Sequence, residues 1–356
     1  MNELSDFVQI SRYAGERFDL VQAGGGNSSV KLDNDKMLIK ASGFLLSEVS
    51  KEKGFSIVDK KKVSNILTTK AIRSETNSRK RESTAANLIN EAILDKKNRP
   101  SIETLLHSFL YKYTLHTHPV SVNMVVIQKQ WKKILLSIFK NYNIALINYK
   151  TPGIELALEL FNSLESFKKI PNIIFLQNHG LIVTSENKNE IQKITDNVLE
   201  KIEDYLDVDM GKYKLTNKIT FLLNSVQKNL HISYLSDDNF LNYQLKTNRK
   251  LFFKKPFCPD SLVFCGVTAV EIKDLTDLFS IKSYLNIYRE LPKVIIYNNY
   301  LFFSANSIKK AKEVEDVLKF HIMVLKDSKV NHINYLNDEE LNYLNNWEAE
   351  KYRQKI

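Results

Sequence analysis

The chain has 356 residues, 43% of them hydrophobic and 10% aromatic, enough for one large core or two ordinary ones, which excludes global disorder. Its formal net charge is +10, but lysine carries almost all of the excess and is spread along the whole chain. The concentrated arginine forks of nucleic-acid recognition are missing, so no nucleic-acid partner is expected.

No stretch approaches the roughly 18 uninterrupted apolar residues of a membrane helix, and the N-terminus has no basic-then-apolar signal pattern. A cytoplasmic protein with no membrane partner is expected. In chain order, SDFVQISRYAGERFDL has helical spacing and leads into VQAGGGNSSVKL, a glycine-rich turn running into a strand. MLIKASG reads as the next strand, joined to the first by a hairpin around Asp33 to Lys36. Residues 82 to 95 read as a helix broken by Asn98, Arg99 and Pro100, after which Ser101 caps a second helix, IETLLHSFLYKY. TLHTHP is a strand ending at Pro119. INYKTPG is a strand and turn, ELALELFNSLESF a helix, and NIIFLQNHGLIVT a hairpin of two apolar strands. A helix from Asn189 to Leu206 closes this half. Strands and helices mixed in this order predict an α/β sandwich. GGGN lacks the spaced glycines of a dinucleotide-binding turn.

The C-terminal part carries an echo. Pro171 to Asn178 followed by HGLIVTSENKNEIQKITDNVL is matched by Pro292 to Asn299 followed by YLFFSANSIKKAKEVEDVL. Each copy reads as an apolar strand, an asparagine turn, a second apolar strand and a helix. The alignment replaces His179 by Tyr300 and leaves Gly180 without a counterpart. The two copies are either a chance likeness or a related lobe that lost a ligand. The expected division is 1–215 and 216–356, with loop-like chemistry in NLHISYLSDDNFLNYQLKTNRK and a polar amphipathic helix in NDEELNYLNNWEAEKYRQKI. Cys258 and Cys265 are expected as buried free thiols, with a disulfide as the alternative.

His116 and His118 stand at i and i+2, so on a strand both imidazoles project to one face. They could hold a metal or be ordinary surface residues. His179 lies in an Asn-His-Gly turn, where the backbone can approach a bound group. Three neutral imidazoles with one open position is the pattern of catalytic zinc. Glu103 falls in the first turn of a helix, where a carboxylate also suits the helix dipole, and His107 lies one turn on, as a partner of the site or as a packed core residue. The turn from Gly24 to Ser29 offers free amides with Asn and Ser donors, suited to an anion or simply to a tight hairpin entry. Lys31 and Lys40 alternate on nearby strands, and Ser42 with Gly43 forms another small donor-bearing turn.

GGGNSSVK, MLIKASG, PSIETLLH, LHTHP, YKTPG and QNHGLIV together resemble, in order, the class II aldolase and adducin superfamily. PSIETLLH looks most like the aldolase part of long rhamnulose-phosphate aldolase and dehydrogenase fusions. The resemblance implies an α/β/α sandwich with a central mixed or antiparallel sheet, plus a smaller related C-terminal α/β lobe. It implies His116, His118 and His179 as ligands of Zn2+ or another divalent metal, and Glu103 as the acid/base residue. Gly26, Asn27, Ser28, Ser42, Gly43 and Ser101 would form the phosphate pocket. Ile102 departs from the pattern, standing where simple sugar-phosphate aldolases have a second serine.

The implied activity is cleavage or formation of a ketose 1-phosphate, giving glycerone phosphate and an aldehyde through a metal-stabilised enediolate. That chemistry calls for a raised Glu103 pKa in a dry pocket. A small-molecule sugar phosphate is the expected partner, and the protein is expected to be a homo-oligomer. Epimerase, dehydratase or decarboxylase chemistry, or a non-catalytic adducin-like scaffold, are the alternatives. Epimerases of the group carry aspartate where this chain has Glu103.

Overall fold

Asn34 and Asp35 both adopt left-handed backbone conformations, φ 61° and 58°. They turn the chain tightly between β1 (Asn27–Lys31) and β2 (Lys36–Lys40), at the hairpin that Asp33 to Lys36 signalled. The computed structural model describes residues 3–95, 97–227, 231–328 and 332–346. The chain divides into two units, Met1–Met210 and Gly211–Ile356.

In the first unit, β1 and β2 join β3 (Phe55–Asp59), β4 (Tyr113–Thr117), β5 (Ile144–Ile147), β6 (Ile173–Leu176) and β7 (Gly180–Ser185). The seven strands lie in the order β3-β2-β1-β4-β7-β6-β5. Every neighbouring pair is antiparallel except β5 with β6, which is parallel. Alternation along each strand fills two separate cores. Val30, Leu38, Leu115, Phe175 and Val183 pack on one face with helices Glu3–Gly15, Val120–Val126 and Lys188–Leu206. Ile39, Val58, Ile174, Leu176 and Ile182 pack on the other, with helices Ser78–Glu91 and Ile154–Leu164. Fully burying each such side chain contributes roughly 1.5–3 kcal/mol. The result is the expected three-layer α/β/α sandwich with a mixed sheet.

One expected element is much shorter than its spacing suggested. The helix read over 102–113 runs only from Thr104 to Ser108. Ser101 does not lead straight into it: Glu103 stands at its start with φ −87° and ψ 6°, its N–H donating to the Ser101 hydroxyl at 3.3 Å. The following residues are drawn into the sheet instead, where Tyr113 opens β4 between Val30 and Ser185. Tertiary pairing overrides helix propensity here.

The second unit holds β8 (Ile232–Leu235), β9 (Val270–Ile272), β10 (Val294–Tyr297) and β11 (Tyr300–Ala305), in the order β8-β11-β10-β9. β9 and β10 are parallel and the other pairs antiparallel. Order and directions repeat the β4-β7-β6-β5 part of the first sheet. β8 and helix Asn239–Thr247 lie in the segment read as loop-like, and helix Asp338–Asn346 begins the expected terminal helix. The rest of that helix, 347–356, lies outside the described residues. Cys258 and Cys265 are free thiols, the first half-buried and the second buried.

Register corrects the sequence alignment of the two copies. Tyr300 faces Tyr297 as Gly180 faces Leu176, so Tyr300 takes the place of Gly180. The turn between the strands is two residues, Asn298 and Asn299, against three in the first copy. One position of the turn 177–179 therefore has no counterpart, and no histidine stands in the shorter turn. Likewise Leu235 faces Phe302 as His116 faces Ile182, placing Leu235 at the His116 position and Asp237 at that of His118.

Among the described residues the outer edge of β8 has no strand beside it, whereas the matching edge of β4 is paired with β1. Helix Gly211–Val226 covers it instead. Ser233 N–H donates to the Thr220 hydroxyl at 2.8 Å, and Asn224 bonds both backbone groups of His231. An unpaired edge is a liability that such cover removes. Thr220→Val keeps the shape but orphans a buried amide, and should destabilise this region by about 1–3 kcal/mol. Amide hydrogen exchange is expected to accelerate at Ser233 with β4 and β7 unchanged; unaltered exchange at Ser233 would show that the bond is dispensable.

Candidate metal centre

Extended backbone puts His116 on β4 and His118 just past its end on the same side, and the β4–β7 ladder brings the tip of the β6–β7 hairpin beside them. Asn178, at φ 52°, turns that hairpin. Gly180 lets it press close, since a Cβ there would stand 2.2 Å from the Thr117 carbonyl oxygen. The imidazoles then converge through their Nε2 atoms: His116 to His118 is 3.1 Å and His116 to His179 is 3.3 Å. Glu103 Oε1 completes the group, 3.4 Å from His116 Nε2 and 3.3 Å from His179 Nε2.

These four separations suit a bound ion. A tetrahedral ion with bonds of about 2.0–2.1 Å has ligand-to-ligand edges of roughly 3.3–3.4 Å, and the spacings around His116 and between His179 and Glu103 lie on or near that value. The three histidines form a cluster that could hold a metal. His116 Nδ1–H donates to the Leu181 carbonyl at 3.0 Å, fixing the ring with Nε2 toward the centre, as metal-binding imidazoles require. His179 Nδ1 and Asn27 Nδ2 beside the centre are buried without a protein partner among the described residues.

The electrostatics are those of a site held ready. His118 is pushed down to about 3, first by burial and then by His116 and His179, so its ring is a neutral ligand near pH 7. Burial pushes Glu103 upward, but His116 and His179 together hold it well below the usual carboxylate range. The raised Glu103 pKa expected from the sequence is therefore not found: two imidazoles outweigh the dry surroundings. Correspondingly, burial lowers His116, yet Glu103 and the Leu181 carbonyl leave it raised overall.

One cavity of about 550 Å3 opens on the centre, lined by Gly26, Ser42, Gly43, Ser101, Glu103, His118 and His179 among others. Gly26 and Gly43 need their lack of a side chain, with φ of 74° and 85°. Two residues expected in the pocket lie outside its lining. Ser28 hydrogen-bonds Ser11 at 2.7 Å, because alternation along β1 turns its hydroxyl toward helix Glu3–Gly15. Asn27 is fully buried, and its Oδ1 accepts from Ser28 N–H. His107 is a packed core residue, fully buried and bonded to Ser29 at 2.8 Å. Ile102 is half-exposed on the rim.

Lys40 is the residue that sequence reasoning noted and left unassigned. It lies in this cavity with 4% exposure, its ammonium 3.4 Å from the Gly24 carbonyl. Burial lowers its pKa. Its position at the end of β2, two residues before Ser42, was the available signal. Lys31, by contrast, is not part of the lining. Glu82, Asn90 and Arg99 also line the cavity, and nothing in their sequence context marked them.

The family described as Class II Aldolase and Adducin N-terminal domain matches residues 5–198. The uncharacterized oxidoreductase YuxG of Bacillus subtilis (strain 168) is 23% identical over 222 residues, 60% of this chain and 31% of that protein. The chain thus spans under a third of that relative's length. The N-terminal class II aldolase domain of a conserved protein from Thermoplasma acidophilum is similar with TM-score 0.49 and 24% identity, covering 58% of this chain and 94% of that one. A sugar-phosphate aldolase from Thermotoga maritima gives TM-score 0.43 and 15% identity, covering 58% and 94% respectively.

The raised pKa of His116 beside an ionised Glu103 sets the pH dependence of metal uptake. In the metal-free centre the pair retains a proton that metal must displace, so the free state binds more protons than the loaded one. Affinity for Zn2+ should rise with pH below His116's raised pKa, by up to about tenfold per unit for one proton. Titration calorimetry in two buffers of different ionisation enthalpy should register the released proton; equal heats would remove the ion pair from this account.

Proposed function

Because the chain belongs to the class II aldolase and adducin family, we propose that its first unit is a metal-dependent lyase acting on a sugar phosphate. The reaction is cleavage of a ketose 1-phosphate to glycerone phosphate and an aldehyde, or its reverse, with zinc as the metal. The observation that carries this reading is the convergence of His116, His118, His179 and Glu103 on a cavity large enough for a sugar phosphate. A divalent ion held by the three imidazoles would supply Lewis acidity to the oxygens that take up negative charge when a carbon–carbon bond beside a carbonyl breaks.

The chain's own residues do the rest. Neutral imidazoles leave the full charge of the ion available, and His118 is held neutral by its burial. Glu103, kept ionised by its neighbours, carries the proton to and from the reacting carbon. Gly26, Ser42, Gly43 and Ser101 offer backbone amides and hydroxyls to the phosphate, with the Lys40 ammonium adding a full positive charge. Glutamate at 103 favours aldol chemistry over epimerisation. The expected setting is cytoplasmic and homo-oligomeric; among the described residues no helix is long and apolar enough to cross a membrane.

We read the second unit as a degenerate repeat of the first unit's later half. Leu235 cannot ligate, and the Asp237 carboxylate is taken up by Lys212 and by Tyr213 at 2.8 Å.

Zinc-loaded full-length protein assayed against a panel of ketose 1-phosphates should release glycerone phosphate. His116→Ala and His179→Ala should lose the metal and all turnover. Glu103→Gln should keep the metal while activity falls about 10²–10⁴-fold. A folded wild type that takes up no metal would favour the non-catalytic scaffold, and a fully active Glu103→Gln would remove Glu103 from the reaction.

A further inference from the structure

Helix Ser78–Glu91 presents one face to the cavity. Glu82, Ala86, Ile89 and Asn90 line it at i, i+4, i+7 and i+8. The helix is fastened at both ends. Beyond its C-terminus, Asp59 N–H donates to the Ala92 carbonyl at 2.8 Å and Ile93 bridges Val58, tying it to β3, which flanks β2, the strand that leads into Ser42 and Gly43. Near its N-terminus, Arg81 pairs with Glu155 at 2.8 Å. That helix, Ile154–Leu164, follows the loop whose Tyr149 N–H donates to Gln177 in the turn of His179. From Asn90 to Glu82 the wall therefore runs about 12 Å, from the β2–β3 side, where Ser42 and Gly43 lie, toward the side of the β6–β7 turn, where His179 lies.

Glu82 is the fixed polar group at the metal end of this wall. Its Oε2 accepts the Ile154 N–H at 2.9 Å, satisfying the start of that helix. Its Oε1 has no hydrogen-bond partner among the described residues. The carboxylate lies against Gly153, where a Cβ would stand 2.5 and 2.8 Å from the two oxygens. Gly153 has φ 109°, which favours glycine, and the Ile154 N–H is what positions the carboxylate.

We infer that Glu82 determines substrate specificity by accepting a hydrogen bond from a hydroxyl on the part of the substrate farthest from its phosphate. The inference rests on the sugar-phosphate reading above. An ionised carboxylate only accepts hydrogen bonds, and at this end of the cavity a donor hydroxyl satisfies it where a methylene or methyl group does not. The ligand class is a phosphorylated polyhydroxy chain longer than three carbons.

The test compares two unreactive phosphates on zinc-loaded full-length protein by calorimetry: glycerol phosphate, which fills only the anion end, and a hexitol 1-phosphate, which extends beyond it. Wild type should bind the hexitol phosphate more tightly. Glu82→Ala should weaken the hexitol phosphate about tenfold or more, the worth of a hydrogen bond to a charged group, and leave glycerol phosphate unchanged. Glycerol phosphate also reports the integrity of the site, so equal loss of both ligands would make Glu82 purely structural and overturn the inference. So would equal binding of both ligands by wild type, or a Glu82→Ala protein that keeps the wild-type preference. Failure of wild type to bind either phosphate would instead overturn the sugar-phosphate reading.

Discussion

The ladder between β4 and β7 is the constraint on which the site depends. His116 and His118 share a face by strand periodicity alone, but His179 is over sixty residues away and belongs to a turn. It arrives because antiparallel pairing fixes where the β6–β7 hairpin ends, and because Gly180 lets that end lie against the Thr117 carbonyl. Leu115, Phe175 and Val183 on one face of the sheet and Ile174, Leu176 and Ile182 on the other hold the ladder in register. A slip of one residue would send the imidazoles to the opposite face. Packing forces remote from the centre thus supply the ångström-scale precision that a metal demands.

The same sheet divides the electrostatic labour. Glu103 is held not by a regular helix but by the irregular step between Ser101 and Thr104, which points its carboxylate at the Nε2 atoms of His116 and His179. The buried His116 and Glu103 compensate each other, and His118 stays uncharged. The cluster is tolerable because His118 is held neutral and the charge on His116 is compensated by Glu103.

Much of this was legible in the chain itself. The two-residue spacing of His116 and His118, the glycine turn and the hairpin at His179 each follow from short-range rules, and six ordered motifs named the family and the layered fold. Other features were hidden for physical reasons. The segment after Ser101 has strong helical spacing, yet strand pairing at Tyr113 truncates it. Ser28 looks like a pocket donor beside the glycines, but strand alternation hands its hydroxyl to Ser11. Lys40 carries no periodic signal beyond its strand, and its burial in the cavity is visible only in three dimensions. Glu82 sits on an ordinary amphipathic helix, and only the contact with Ile154 and Gly153 distinguishes it. The pKa of Glu103 likewise depends on a balance between burial and neighbouring imidazoles that no single sequence position encodes.

The shorter turn between β10 and β11 bears on how the second lobe can change. One substitution could not build a three-imidazole centre there, because the turn is one residue shorter and Leu235 stands at the His116 position. Such a centre would require lengthening the hairpin, opening the space filled by Tyr300 and replacing Leu235 together. That threefold demand separates the second unit from metal chemistry by more than any single step can cross.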